Sequence, residues 1–373
     1  MFRRSRRLVI HIGAQKCASS SLQASLELVA KAAKGRFCFC HLQSELLRGV
    51  NQALEDKDGE PFGYIDGVLS TQDAYQVVVS HEMMGNRPKL VCAIAGRALE
   101  KHSFNHVVIS GYSRLQSSYY ISEFSQWGFR GRAKLYADME AMLAHNLDWR
   151  KFTALERSLL AFSLEGNDRD WFADYQGFCR ASELFGESVS VVSCHIPTRH
   201  HPYSLLNHFM SSCGLSFGLS DLESLDVREN LSFQPLLIHA ISSHLCALRP
   251  WRQSFFPRPH AGNQWLFSIG KRMAGAKNML LEFNKLFSCD LQRALVGHLD
   301  CRSSESNKKY CDLMSVNFNY FQPSEGASLL SKSELLSLAR QTTQDRDLED
   351  IKHLNRRIED ACMQSIQAEI ECS

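Results

Sequence analysis

The feature that most restricts the fold lies close to the first residue: "RLVIHIGAQKCASSSLQASLELVAKAAKG", Arg7 to Gly35. An apolar run of strand length ends at Gly13, and a polar loop follows it. Leu22, Leu26 and Val29 then recur at helical spacing, with Gly35 available as a C-terminal cap. This is a buried strand, a loop and an amphipathic helix in succession. A strand handing over to a helix that opens on serines presents free backbone N–H groups, hydroxyl donors and the positive end of the helix dipole at one point. Lys16 adds a full charge, so the loop has the parts of an anion site.

Further apolar runs of strand length are "YQVVVS" (Tyr75 to Ser80), "HVVISGY" (His106 to Tyr112) and "SVSVVSC" (Ser188 to Cys194). Each is separated from the next by enough chain for at least one helix. The pattern predicts an α/β fold, a mostly parallel sheet flanked by helices. The 373 residues lack a Pro/Gly/Ser-rich linker, so residues 1–373 are expected as a single domain. Residues 125–170 and 251–323 are expected as helical insertions within it.

Hydrophobic residues make up 44% and charged residues 22%, with a formal net charge of +2. That balance suits a large buried core and offers no basis for nucleic-acid binding. "RRSRR" is followed by a run too short and too polar for an export signal, and no run is long enough to span a bilayer. Thirteen scattered cysteines without a CxxC pair then fit reduced thiols and a cytoplasmic location. "CFCH" (Cys38 to His41) and "SCHIPTRHH" (Ser193 to His201) have metal-ligand residue types without zinc-site spacing, so no metal is expected.

The loop departs from the ATP-type phosphate loop, in which a Gly precedes the Lys and a Ser or Thr follows it to hold magnesium. Here Gln15 precedes Lys16 and Cys17 follows. The competing structural reading of "QKCASSS" is a capped helix start beside an exposed lysine.

"HIGAQKCASSSLQASL" resembles the 5′-phosphosulfate loop of sulfotransferases that use 3′-phosphoadenosine 5′-phosphosulfate (PAPS). It departs from that family at Cys17 and Ala18, where a Ser or Thr and a Gly are more usual. "HVVISGYSRLQSSYYISEF" is similar to the family's 3′-phosphate segment, with Arg114 and Ser122 eight residues apart. A guanidinium can hold a phosphate through two parallel hydrogen bonds, and a helical hydroxyl can add a third donor. "DWFADYQGFCRASELFGESVSVVSC", "VRENLSFQPLLIHA" and "LLSKSELLSLARQTTQDRDLEDIKHLNRRI" resemble later segments of bacterial members.

The resemblance implies a P-loop-like sulfotransferase fold and PAPS as co-substrate. Gly13, Ala14, Gln15, Lys16, Cys17, Ala18, Ser19, Ser20 and Ser21 would hold the 5′ end, and Arg114 and Ser122 the 3′-phosphate. Arg228 and Asn230 would line the nucleotide pocket, helix capping being the competing role for Asn230. Lys16 would neutralise charge on the leaving phosphate oxygen. "YQVVVSHEMMG" offers His81 and Glu82 as the base; Glu82 is preferred by resemblance, and His81 stays open. The acceptor would carry a hydroxyl or amine. Trp127, Arg130, Arg132, Tyr136 and Trp149 suit a carbohydrate or glycoconjugate, and the two insertions would shape its site. Two other classes compete: a P-loop nucleotide kinase, and a non-catalytic nucleotide-binding protein of the same fold.

Overall fold

The structure is a computed structural model. It describes residues 6–13, 17–33, 35–56, 62–70, 74–166, 169–196, 204–216, 222–227, 233, 235–247, 263–273, 275–287 and 289–371. The chain opens with β1 (Arg7–His11), α1 (Ser19–Ala32), β2 (Phe37–His41), α2 (Ser44–Asp56), α3 (Gly63–Ser70), β3 (Gln76–Ser80), α4 (Pro88–Lys101) and β4 (His106–Ser113). It continues through α5 (Gln116–Gln126), α6 (Arg132–Ala144), α7 (Ala154–Glu165), α8 (Trp171–Ser182), β5 (Val189–His195), α9 (Leu205–Ser212) and α10 (Pro235–Ala247). The closing elements are α11 (Asn263–Arg272), α12 (Ala276–Leu286), α13 (Asp290–Arg302), α14 (Ser304–Met314), α15 (Lys332–Gln344) and α16 (Leu348–Glu371). Among the described residues no helix is long and apolar enough to cross a membrane.

Two compact units account for these elements. The first comprises Met1–Leu115, Asp170–Asn230 and Glu305–Phe321; the second comprises Gln116–Arg169, Leu231–Ser304 and Gln322–Ser373. Of the two segments expected as insertions, residues 125–169 fall in the second unit together with residues 263–304, whereas Glu305–Phe321 counts with the first. Residues 251–262 lie outside the described residues.

The first unit holds a five-stranded parallel sheet of order β2-β3-β1-β4-β5. β1 is central because its run is apolar on both faces: Leu8, Val9 and Ile10 are fully buried. It pairs with β3 through Leu8 and Val77, and with β4 through Leu8 and Val107. Each such side chain contributes about 1.5–3 kcal/mol by leaving water. β4 is buried along most of its length, and Gly111 is required in it. A Cβ there would lie 2.8 Å from the Tyr175 hydroxyl and 2.9 Å from Ile12.

Four of the five strands match apolar runs read from the sequence. β2 is an edge strand interrupted by Cys38, Cys40 and His41, so its period is weak.

The second unit is helical and has two apolar clusters. One gathers Leu236, Leu237 and Ile241 of α10 with Leu354, Ile358 and Cys362 of α16; the other gathers Leu159 and Leu160 of α7 with Leu291, Leu295 and Leu299 of α13. α7 starts on a capping box: the Glu156 N–H donates to Thr153 Oγ1 at 3.1 Å, and the Thr153 N–H donates to Glu156 Oε2 at 2.7 Å.

Candidate functional site

In the first unit the chain runs from β1 outward to β2, returns through β3, and crosses to β4 on the other side of β1. Strand order therefore reverses beside β1, and ligands of open parallel sheets sit outside the carboxyl ends of the strands at such a point. The residues at those ends are Ile12 and Gly13 after β1, His81 and Glu82 after β3, Arg114 after β4, and His195 closing β5.

The approach to α1 is tight. A Cβ on Gly13 would lie 2.6 and 2.8 Å from the His11 ring and 3.0 Å from Ser19 Cβ, so only glycine fits. Ala18, the N-cap of α1, has φ 62 and ψ 15. This is the left-handed region, and it costs an L-residue about 1–2 kcal/mol. Cys17, Ser19 and Ser21 are buried and Ser20 is half-buried. α1 stops at Ala32 with its cap at Ala33, and Gly35 has φ 80 in the turn beyond. Ala14, Gln15 and Lys16 lie outside the described residues, as do Arg228 and Asn230. The Val227 N–H donates to Ser25 Oγ at 2.7 Å, which sets the chain just before Arg228 against α1.

Two sequence candidates meet. Ser19 Oγ donates to Glu82 Oε1 at 2.6 Å, linking the first residue of α1 to the turn after β3. Glu82 opens the 3₁₀ turn Glu82–Asn86, and His81 is its N-cap. His81 Nδ1 accepts from the Met83 N–H at 2.9 Å, so in the neutral ring Nε2 carries the proton and donates to Ser44 Oγ at 2.8 Å. Both nitrogens are therefore engaged. Burial holds the His81 pKa below the usual value, and the charge of His41, stacked at 5.6 Å, acts in the same direction.

Sequence reasoning passed over His11, Ser80 and Gln23, which join β1, β3 and α1. His11 Nδ1 is 2.8 Å from Ser80 Oγ, and Gln23 Nε2 donates to the same hydroxyl at 3.0 Å. His11 is fully buried and its Nε2 has no partner among the described residues. Burial, with a smaller contribution from His41, lowers its pKa to about 4. The available signal was a histidine within an apolar strand run, beside the glycine it packs against.

Arg114 is held by its backbone, whose carbonyl accepts from Trp171 Nε1–H at 2.8 Å. Burial lowers the guanidinium's pKa, and nearby Cys17 opposes that shift. His195, stacked on Tyr320 at 4.4 Å, has its pKa lowered to about 4 by burial and then by the Arg114 charge. Arg114 thus sits close enough to Cys17 and His195 to act on both. Ser122, the other expected 3′-phosphate ligand, is half-buried on α5, which belongs to the second unit.

Among the described residues no three His, Cys, Asp or Glu side chains converge as metal ligands. In the second unit, the basic and aromatic residues read from the sequence pack partly on one another. Arg130 is buried over the rings of Phe233 at 4.9 Å, Phe129 at 5.1 Å and Trp127 at 5.3 Å, and burial lowers its pKa to about 10. Trp127 itself remains exposed. No protein-family model, curated protein or solved structure matches the chain.

Proposed function

We propose that the first unit binds PAPS at the carboxyl edge of its sheet and that the protein transfers the sulfuryl group to a hydroxyl or amine acceptor. The observation that carries this reading is the Ser19–Glu82 bond. It brings a carboxylate to the start of a helix that opens on serines, beside the sheet's switch point. The resemblance of residues 11–26 and 106–124 to sulfotransferase segments supplies the donor. Buried Cys17, in place of a magnesium-binding hydroxyl, weighs against an ATP kinase.

In this reading the α1 amides and serine hydroxyls hold the phosphosulfate, with Lys16 opposing charge on the departing phosphate oxygen. The acceptor oxygen or nitrogen forms its bond to sulfur as the sulfur–phosphate oxygen bond breaks, and Glu82 takes the acceptor proton. His81 caps the turn that aims Glu82, because its own lone pair is occupied by the Met83 N–H. Ser19 has one proton and spends it on Glu82. An oxyanion on α1 competes for that proton, so filling the loop frees the Glu82 oxygen for the acceptor. Arg114 is the 3′-phosphate ligand.

Thermal unfolding with 3′,5′-adenosine bisphosphate, ADP, or ATP plus magnesium tests the donor. At about a hundred times its Kd, a ligand of the folded state adds about 2.7 kcal/mol. The bisphosphate should stabilise the protein more than ADP or ATP, and Arg114→Ala should remove about 2–4 kcal/mol of its binding. Equal stabilisation by ADP and the bisphosphate would remove the reading's support.

A further inference from the structure

The second unit contains a partly open pocket of about 350 Å³ between its helices. Its walls come from α5, the start of α7, α10, and the α12–α13 corner, including Phe124, Leu155, Phe233, Ile238, Phe283 and Phe287. Its volume falls in the size range of small-molecule sites.

The charge state of the lining limits the ligand class. Glu156 is the one carboxylate among the described lining residues, and its oxygens are already occupied. Arg346 donates to Oε2 at 2.9 Å and to Oε1 at 2.8 Å, and the Thr153 N–H donates to Oε2 at 2.7 Å. Among the described residues no Lys or Arg lines the cavity. His239 is packed edge-on against Phe283 at 5.0 Å and bonded through Nε2 to Asn355 Oδ1 at 2.7 Å. Burial lowers its pKa to about 4, so it is neutral at pH 7. Among the described lining residues an anion would find no cation, and a cation would find its one counter-ion already paired. Asn284 and Gln292 supply amides on the α12–α13 side, where exposed Cys289 also lines the cavity.

We propose that the second unit binds a neutral, mainly apolar small molecule in this cavity, with one hydroxyl or amide end turned toward Asn284 and Gln292. The proposal does not rest on the donor reading, and its test uses no nucleotide. Titration of the full-length protein with the neutral fluorophore N-phenyl-1-naphthylamine should give saturable, one-to-one enhancement. Octan-1-ol should displace the probe at least about tenfold more effectively than octanoate at pH 7, because burying the unpaired carboxylate costs several kcal/mol. Ile238→Trp and, separately, Leu155→Trp should fill the space and weaken probe binding at least tenfold while thermal unfolding stays cooperative. Non-saturable uptake, equal displacement by octanoate, or unchanged binding in a folded Trp variant would overturn it. Should both variants fail to fold, the alcohol-against-carboxylate comparison on the unaltered protein still decides.

Discussion

Glu82 and Glu156 each stand in the first turn of a helical element, one in each unit, and they are used differently. Glu156 is buried and accepts from the Thr153 N–H and from two prongs of Arg346, three bonds that fill most of a carboxylate's capacity. Glu82 is half-buried and accepts one bond among the described residues, from Ser19. The saturated carboxylate holds α7 and the segment before α16 together. The other stands at the sheet's carboxyl edge with Ser19 as its one partner among the described residues, which is the arrangement the proposed proton acceptor needs. Among the described residues the two glutamates differ in partner count, three bonds against one.

The sharpest break of this comparison is in turnover. Glu82→Gln keeps the Ser19 bond and the shape but removes the basic oxygen, so turnover should fall about a hundred- to ten-thousandfold. Bisphosphate binding should stay near wild type, and stability should shift by less than about 1 kcal/mol. His81→Asn should be mild in turnover, since that ring is assigned to capping. Steady-state release of the bisphosphate with an acceptor found by screening reads both. Full activity in Glu82→Gln beside loss in His81→Asn would exchange the two roles.

Glu156 should fail in the opposite way. Arg346→Ala leaves a buried carboxylate without its counter-ion and should cost about 3–5 kcal/mol, with nucleotide affinity unchanged per folded molecule. Replacing both partners by hydrophobes of similar volume should cost much less. Urea unfolding of the single and paired variants measures this. A loss under about 1 kcal/mol for Arg346→Ala would mean that Glu156 is not the saturated partner described above.

Acid extends the comparison to the histidines. His11 in the first unit and His239 in the second are both buried, with pKa values lowered to about 4 from 6.5. The unfolded chain binds these protons first, so stability is full above pH 6.5 and is lost as pH falls toward 4. A shift of that size corresponds to about 3 kcal/mol for each histidine. Below pH 4 these two groups contribute no further loss. Urea midpoints at pH 7, 5.5 and 4.5 should fall in that order, and His239→Asn should flatten part of the slope. A flat wild-type profile would contradict the burial of both rings.

Much of the first unit was legible because its strands are continuous apolar runs with one period. β1, β3, β4 and β5 were readable from Leu8–Ile10, Val77–Val79, Val107–Ile109 and Val189–Val192. β2 was not, because an edge strand carrying Cys38, Cys40 and His41 alternates weakly. The Ser19–Glu82 pairing joins residues 63 positions apart, and strand order, which no local pattern encodes, brings them together. The His11–Ser80–Gln23 cluster was hidden for the same reason. In the second unit the basic and aromatic residues around Trp127 read as a ligand surface, whereas Arg130 turns its guanidinium onto neighbouring rings. Composition cannot tell an internal cation–π contact from one offered to a ligand.

The smallest effect compares two left-handed residues, one per unit. Ala18 has φ 62 at the N-cap of α1, and Asn146 has φ 56 after α6. Asparagine tolerates this region through local hydrogen bonding, whereas alanine bears the full Cβ cost of about 1–2 kcal/mol. Glycine removes that strain but adds about 0.4–1 kcal/mol of unfolded-chain entropy to be lost on folding. Ala18→Gly should therefore raise stability by up to about 1 kcal/mol, and Asn146→Gly should leave it level or slightly lower. Ala18→Val should be clearly destabilising, because a branched Cβ is worst placed there. Thermal melts of the three variants, with and without the bisphosphate, separate two uses of the turn. If the strain only shapes the helix start, Ala18→Gly gains stability with binding unchanged within about threefold. If Ala18 holds the loop open against the ligand, the same substitution tightens binding as well. A loss of stability in Ala18→Gly matching that in Asn146→Gly would show that Ala18 bears no left-handed strain.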